Sequence, residues 1–218
     1  MGSSPLSEND KEIVRRALRR FSAISVREEF AKQQLEMLTG QNIKVLLDPT
    51  FLLTKKEWWE RLGSKSRYAH VTEKYILTYF VAPNKEEYHA RVAEYAKQLQ
   101  LPVWTIQYSN YTWKESSKKI IGATLEDFIA LISNAELVLT DSFHGNAFSV
   151  NLNRNFVAFK HKTNPVRVVS LLEKLGIPER LDMKPEEYCE INYSTVSPRL
   201  EALRDDSRTW VLNALEGR

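Results

Sequence analysis

The chain lacks features that mark several large classes of protein. It has one cysteine in 218 residues, Cys189, so it cannot form an internal disulfide, and this fits a reducing compartment. No apolar run approaches the roughly 20 residues that cross a bilayer, and the first residues lack the pattern of a signal peptide. These absences predict a chain without a membrane span, and we expect it in the cytoplasm.

Strong charge of one sign is also missing. The net charge is +3, from 31 basic and 28 acidic residues. The dense basic block "RRALRR" at 15–20 alternates with apolar residues at helical spacing, which predicts a solvated helix face, and we expect no nucleic-acid partner. With 43% hydrophobic residues and only 7 glycines and 8 prolines, the chain has the composition of a folded α/β protein rather than a disordered one.

Apolar runs alternate with segments of helical period along the chain. Three of these segments open with the spacing of a capping box, Ser25 with Glu28, Thr54 with Glu57 and Thr124 with Asp127. A last helix is predicted over 197–216. Runs of continuous apolar character separated by helices predict a mostly parallel sheet. We therefore predict one doubly wound, six-stranded Rossmann-like domain over residues 1–218, with helices on both faces. Its strands are predicted at 21–26, 43–47, 75–81, 102–108, 136–140 and 155–160.

The predicted fold class places the chemistry at the ends of the strands. In open parallel sheets, ligands bind beyond the carboxyl ends of the strands, so the residues that leave each strand belong together. Arg27 follows the first predicted strand and Asp48 follows the second. Residues 141–145 follow the fifth, and Lys160 and Lys162 follow the last.

The stretch "TDSFHGNAFS" at 140–149 is the most informative of these. If Asp141 or Ser142 caps the helix that follows, the first amides of that helix point outward and suit a phosphate or a carboxylate. His144 then offers a hydrogen-bond donor, or an acid or base, and Gly145 allows a ligand or another backbone segment to come close. A capped helix whose histidine packs under a neighbouring loop explains the same spacing, and spacing alone leaves both interpretations open. The sequence shows no His or Cys cluster with ligand spacing, so we predict no metal site.

Four segments, taken in order, carry a resemblance to a known family. They are "ISVREE", "LLDPTFLL" with a tryptophan after it, "FIALISNAELVLTDSFHGNAFS" and "FKHKTNPVRVVSLLEKLGIPERL". Their order and spacing resemble the polysaccharide pyruvyl transferase family from about residue 7 to the C-terminus. The resemblance implies a GT-B-like enzyme, in which two Rossmann-like halves enclose a cleft. It also implies transfer of the enolpyruvyl unit of phosphoenolpyruvate to a sugar hydroxyl of a surface polysaccharide or glycan precursor, giving a pyruvate ketal.

The resemblance assigns roles to particular residues. The family motif of aspartate, two residues and histidine falls on Asp141–His144, which implies that His144 contacts phosphoenolpyruvate and helps to protonate it. Some members place arginine where Ser142 stands, so one anion partner is missing here. A basic residue after the next strand belongs to the same anion site, and Lys160 or Lys162 occupies that region. Phosphoenolpyruvate is the donor substrate, and no cofactor is implied.

Two residues near the start of the chain keep alternative interpretations. Arg27 in "SVRE" is a candidate to reach the cleft and bind substrate, and its alternative is an ion pair with Glu28 or a nearby acid. Asp48 before Pro49 is either a catalytic acid or an aspartate whose side chain forms a turn.

The chain departs from the family pattern at its start. Family members carry another domain before the "ISVRE" segment, and here "GSSPL" resembles the end of that domain with a methionine in front of it. The chain therefore resembles the C-terminal half of a family member. Surface that normally packs on the other half is expected to mediate association, including self-association.

Three classes of function follow. The first is the phosphoenolpyruvate-binding half of a pyruvyl transferase. The second is half of a nucleotide-sugar glycosyltransferase, because the same architecture binds nucleotide diphosphates at the same strand ends. The third is a non-catalytic module that acts through protein contacts.

Overall fold

The computed structural model describes residues 6–81, 86–107, 115–160 and 166–217. The candidate site residue Lys162 lies outside these ranges. The chain divides into two compact units, one formed by Met1–Leu52 with Ser197–Arg218 and the other by Leu53–Val196. In the described part of the chain, no helix combines the length and the apolar character needed to cross a membrane.

The unit Leu53–Val196 alternates strands and helices. Its elements are α3 (Lys55–Arg61), β3 (Ile76–Tyr79), α4 (Glu86–Leu99), β4 (Val103–Gln107), β5 (Lys118–Ile121), α5 (Leu125–Asn134), β6 (Leu137–Thr140), α6 (Phe143–Asn151), β7 (Phe156–Ala158) and α7 (Val166–Leu175). The predicted capping boxes at the starts of α3 and α5 are confirmed. The one predicted from Ser25 and Glu28 is wrong, because Ser25 lies in a short strand and Glu28 is the N-cap residue of the next helix, without a side-chain cap. The last helix of the chain, α8 (Tyr193–Leu215), begins earlier than the predicted 197, because Asn192 Oδ1 accepts the Ser194 N–H at 3.1 Å and starts the helix there.

A five-stranded parallel sheet forms the centre of this unit. Its strand order is β5-β4-β3-β6-β7, with Ile76 of β3 opposite Val103 on one side and Leu137 on the other. The chain adds strands in one direction from β3 to β5 and then returns to the other side of β3 for β6. The order therefore reverses between β3 and β6, which is where open parallel sheets bind ligands.

The predicted six-stranded sheet is corrected to five strands. The first two predicted strands do not join it: β1 (Ser25–Val26) and β2 (Lys44–Val45) are two residues long and pair with each other in a separate parallel sheet. The main sheet contains one strand, β5, that was not predicted from the sequence. As an edge strand with Lys118, Lys119 and Ile121 exposed and only Ile120 buried, it has no continuous apolar run. The parallel α/β architecture is confirmed.

The core of this unit lies between the central strands and α4. Ile76, Leu137 and Leu139 of the sheet are fully buried and pack with Val92 and Tyr95 of α4. Burial of both faces explains why β3 and β6 are mostly apolar, with Thr78 and Thr140 as buried polar residues.

The other unit joins the two ends of the chain. It contains α1 (Glu8–Leu18), β1, α2 (Glu29–Thr39), β2 and most of α8. Arg204 of α8 is buried, and its Nε donates to the Phe51 carbonyl at 2.6 Å. Ser207 Oγ accepts the Leu47 N–H at 3.0 Å. These bonds explain why residues far apart in sequence form one unit.

Candidate functional site

The carboxyl end of β6 leads directly into the first turn of α6. Ser142 is the N-cap residue, with extended backbone angles and its Oγ accepting the Gly145 N–H at 3.4 Å. The sequence left the cap open between Asp141 and Ser142, and the structure assigns it to Ser142. The amides of Phe143 and His144 precede Asn146, whose N–H is the first of the helix to donate to the carbonyl four residues before it, so they form the positive end of the helix.

Asp141 connects the ends of β3 and β6, the two strands between which the strand order reverses. Its side chain is 3% exposed, and its Oδ1 accepts the Val81 N–H at 2.7 Å, two residues beyond β3. This bond ties the end of β6 to the end of β3. A buried carboxylate bonded to the backbone fixes the geometry of the edge, and its role in substrate binding stays a prediction.

Gly145 allows α6 to begin close to β6. A Cβ atom at this position would lie 2.3 Å from Thr140 Oγ1 and 2.9 Å from Thr140 Cγ2. Thr140 Oγ1 is held in place, since it donates to the Tyr79 carbonyl at 2.5 Å and accepts the Ser142 N–H at 3.0 Å. The sequence predicted that a ligand or another backbone segment comes close to Gly145. In the structure, the group that comes close is the Thr140 side chain.

His144 lies exposed on the first turn of α6. Its ring centroid is 5.5 Å from that of Phe143, in an edge-on arrangement. Among the described residues, no side chain or backbone group hydrogen-bonds to the His144 ring. An exposed imidazole at the positive end of a helix can both contact an anion and transfer a proton. The alternative of a histidine packed under a loop does not fit this exposure.

Arg167 brings a positive charge to the same helix end, and the sequence did not single it out. It lies on the first turn of α7, with its guanidinium carbon 5.2 Å from the centroid of the Phe143 ring. A cation in the first turn of a helix is disfavoured by the helix dipole. That unfavourable position, two residues after Pro165, was the signal in the sequence that could have identified Arg167.

Lys160 follows β7 at the same edge of the sheet. The N–H of Phe159 donates to the Thr140 carbonyl at 2.8 Å, so Lys160 and Asp141 leave two paired strands side by side. The Lys160 side chain is exposed. The structure thus brings Asp141, Ser142, His144 and Lys160 to one edge of one sheet.

Arg27 and Asp48 belong to the unit formed by the chain ends. Arg27 Nη1 donates to Asp48 Oδ2, which is the ion pair with a nearby acid that the sequence left open. Asp48 also accepts the Thr50 N–H at 3.0 Å and the Thr50 hydroxyl at 2.9 Å, which is the turn-forming arrangement. A role for Arg27 in substrate binding stays a prediction.

The surroundings of Asp48 shift its ionisation. Burial raises the pKa of the Asp48 carboxyl, but the bonds from Thr50 and Arg27 outweigh it and hold the pKa below the ordinary value of 3.8. Because the folded pKa lies below the unfolded one, Asp48 stabilises the fold above the unfolded pKa. This stability is lost as the pH falls through the folded pKa.

We expect Asp48→Asn to lower the free energy of unfolding at pH 7 by about 1–2 kcal/mol, because hydrogen bonds to a charged group are lost. The difference in the free energy of unfolding between Asp48→Asn and the unchanged protein should become smaller as the pH approaches 3. Urea denaturation at both pH values measures this. Asp205→Asn is the control, since Asp205 is an exposed carboxylate of the same unit. A difference that is constant with pH would contradict the prediction.

No three His, Cys, Asp or Glu side chains within the described ranges are grouped so that they could hold a metal ion.

The model of one protein family, polysaccharide pyruvyl transferase, matches residues 1–163. The chain belongs to the polysaccharide pyruvyl transferase family. A search of curated proteins gives no match. Pyruvyl transfer is the activity that membership of the polysaccharide pyruvyl transferase family indicates. The predicted site residues all lie within the matched range, whereas Arg167 lies beyond it.

Proposed function

We propose that this chain binds phosphoenolpyruvate and supplies the donor half of an enzyme that forms a pyruvate ketal on a sugar. The observation that carries the proposal is the exposed His144 on the first turn of α6, at the point where the strand order of the sheet reverses. The resemblance to the family motif, which implies that this histidine contacts the donor, supports the same proposal. A second half, resembling the domain that precedes "ISVRE" in family members, would hold the sugar acceptor.

Phosphoenolpyruvate carries two anionic groups, a phosphate and a carboxylate. The amides of Phe143 and His144 at the positive end of α6 suit one of them. The guanidinium carbon of Arg167, on α7, lies 5.2 Å from the centroid of the Phe143 ring, and a planar guanidinium matches phosphate or carboxylate geometry. Arg167 would in this way supply the arginine that is missing at Ser142. Lys160 adds a mobile cation at the neighbouring strand end.

The chemistry needs a proton donor beside the donor substrate. Protonation of the methylene carbon of phosphoenolpyruvate builds positive charge on the adjacent carbon, and a sugar hydroxyl attacks that carbon and gives up its proton. The bond from this carbon to the phosphate oxygen breaks and inorganic phosphate leaves. A second hydroxyl of the sugar then attacks the same carbon, gives up its proton and closes the ketal ring. We assign the first proton transfer to His144, because this residue is exposed and lies on the helix turn whose amides would bind the anion.

The proposal is tested by calorimetric titration of phosphoenolpyruvate into the full chain and into Arg167→Gln. We expect saturable binding, weakened about tenfold in Arg167→Gln by the loss of a charge-assisted hydrogen bond. Arg61→Gln is the control, because Arg61 is an exposed arginine of the same unit on α3. A nucleotide diphosphate sugar serves as the competing ligand. If the chain binds the nucleotide sugar and not phosphoenolpyruvate, the proposal is overturned. If Arg167→Gln and Arg61→Gln bind phosphoenolpyruvate equally well, Arg167 is not part of the site.

A further inference from the structure

One face of α4 holds the segments that follow β7. Tyr88, Arg91 and Tyr95 lie at positions i, i+3 and i+7 of this helix, and each donates through its side chain to residues beyond β7. Arg91 Nη2 donates to the Met183 carbonyl at 2.9 Å, and Tyr95 Oη donates to the same carbonyl at 2.7 Å. Tyr88 Oη donates to the Lys160 carbonyl at 3.0 Å. The helix therefore fixes two neighbouring loops through one row of side chains.

The backbone of Lys160 is held from both sides. Its carbonyl accepts from Tyr88, and its N–H donates to Asp182 Oδ1 at 3.0 Å. Asp182 is itself fixed, because the same Oδ1 accepts from Arg91 Nη1 at 3.0 Å and its N–H donates to the Ala158 carbonyl at 2.7 Å. Lys160 is exposed, so its peptide group is not held in place by burial.

We propose that Tyr88 is a positioning residue for donor binding, which acts by fixing the peptide of Lys160 at the edge of the sheet. This inference rests on the proposed function, in which Lys160 contributes a cation to the anion site. A lysine side chain has many rotamers, and binding through it is weakened further if its own backbone also has to be ordered. The Tyr88 hydroxyl removes the backbone part of that cost before the ligand arrives.

The surroundings of Tyr88 keep its hydroxyl a donor. Burial, followed by the carboxylates of Asp141 and Asp182, raises the pKa of Tyr88 above its ordinary value. The side chain is 1% exposed, so water does not compete freely for the bond. Tyr88 therefore donates to Lys160 across the whole pH range in which the protein would act.

The test compares two buried tyrosines. Tyr88→Phe removes the bond to Lys160, whereas Tyr75→Phe removes a similar bond, from Tyr75 Oη to the Leu131 carbonyl at 2.7 Å, at the start of β3. Both variants should lose similar thermal stability. We expect the Kd for phosphoenolpyruvate, measured by calorimetry on the full chain, to rise about fivefold in Tyr88→Phe and to stay within a factor of about two in Tyr75→Phe.

Asp182 provides the second measurement. Asp182→Ala removes the acceptor for the Lys160 N–H and should weaken binding as Tyr88→Phe does. Asp182→Asn keeps a side-chain oxygen and tolerates the left-handed backbone at this position, φ 53°, so it should bind like the unchanged protein.

The outcomes separate this inference from the function on which it rests. Weaker binding in Tyr88→Phe with unchanged binding in Tyr75→Phe supports the positioning role. Unchanged binding in Tyr88→Phe, or equal weakening in both tyrosine variants, overturns it and leaves the proposed function standing. Failure of the unchanged protein to bind phosphoenolpyruvate overturns both.

Discussion

Replacing His144 by alanine should lower the rate of pyruvyl transfer by a factor of about 10² to 10⁴, the usual contribution of a positioned acid or base. The donor site should lose much less affinity, about tenfold at most, because one hydrogen-bond donor of several is removed. A large loss of rate with a small loss of binding is expected of a group that acts on the transferred proton.

Two assays measure this effect. Phosphate release from phosphoenolpyruvate, in the presence of a sugar acceptor and of the second half proposed to hold it, follows the complete reaction. Incorporation of deuterium from heavy water into the methylene group, followed by proton NMR, reports the protonation step without an acceptor. His70→Ala is the matched control, since His70 is an exposed histidine of the same unit. A His144→Ala rate within about tenfold of that of the control would show that another group delivers the proton.

Gly145→Ala is expected to lower the free energy of unfolding by about 1–3 kcal/mol and to weaken donor binding, because the new methyl group meets the Thr140 side chain. At 2.3 Å from Thr140 Oγ1, the contact is far below van der Waals distance. Thr140 cannot turn away without breaking its bonds to Tyr79 and Ser142. The first turn of α6 must therefore move, and the amides and the His144 ring move with it.

A double-mutant cycle with Thr140→Ala tests the cause. Thr140→Ala removes the two atoms nearest to the new methyl group, so the double variant should be more stable than the sum of the single effects by about 1 kcal/mol or more. Thermal and urea denaturation give the stabilities. Additive effects would mean that the cost of Gly145→Ala arises elsewhere than at Thr140.

The site around β6 and α6 was predictable because its signals are local. The run "ELVLT" is apolar on both faces, as a central parallel strand must be, and a capping residue and a helix follow it at once. The choice between Asp141 and Ser142 as the cap was not predictable. Asp141 bonds to Val81, which is 60 residues away in the sequence, and this leaves Ser142 to cap the helix.

The features that the sequence did not yield depend on distant partners. β5 is an edge strand with one buried residue, so its pairing with β4, rather than its own pattern, makes it a strand. The place of Arg167 beside the site depends on its contact with Phe143, a residue of another helix. The predicted strands at 21–26 and 43–47 are apolar runs like those of a central strand. Among the described residues, only β1 and β2 form within them, and these two strands pair with each other.

The division of the chain has a consequence for how the protein is made. One unit is built from residues 1–52 and 197–218, and the buried Arg204 donates to Phe51 across a separation of 153 residues. During synthesis on the ribosome, residues 53–196 emerge as one continuous segment that can fold as soon as it is complete. The first 52 residues must wait for the last helix before bonds such as that from Arg204 to Phe51 can form. We therefore expect the amino-terminal segment to depend on chaperones for longer than the segment that carries His144.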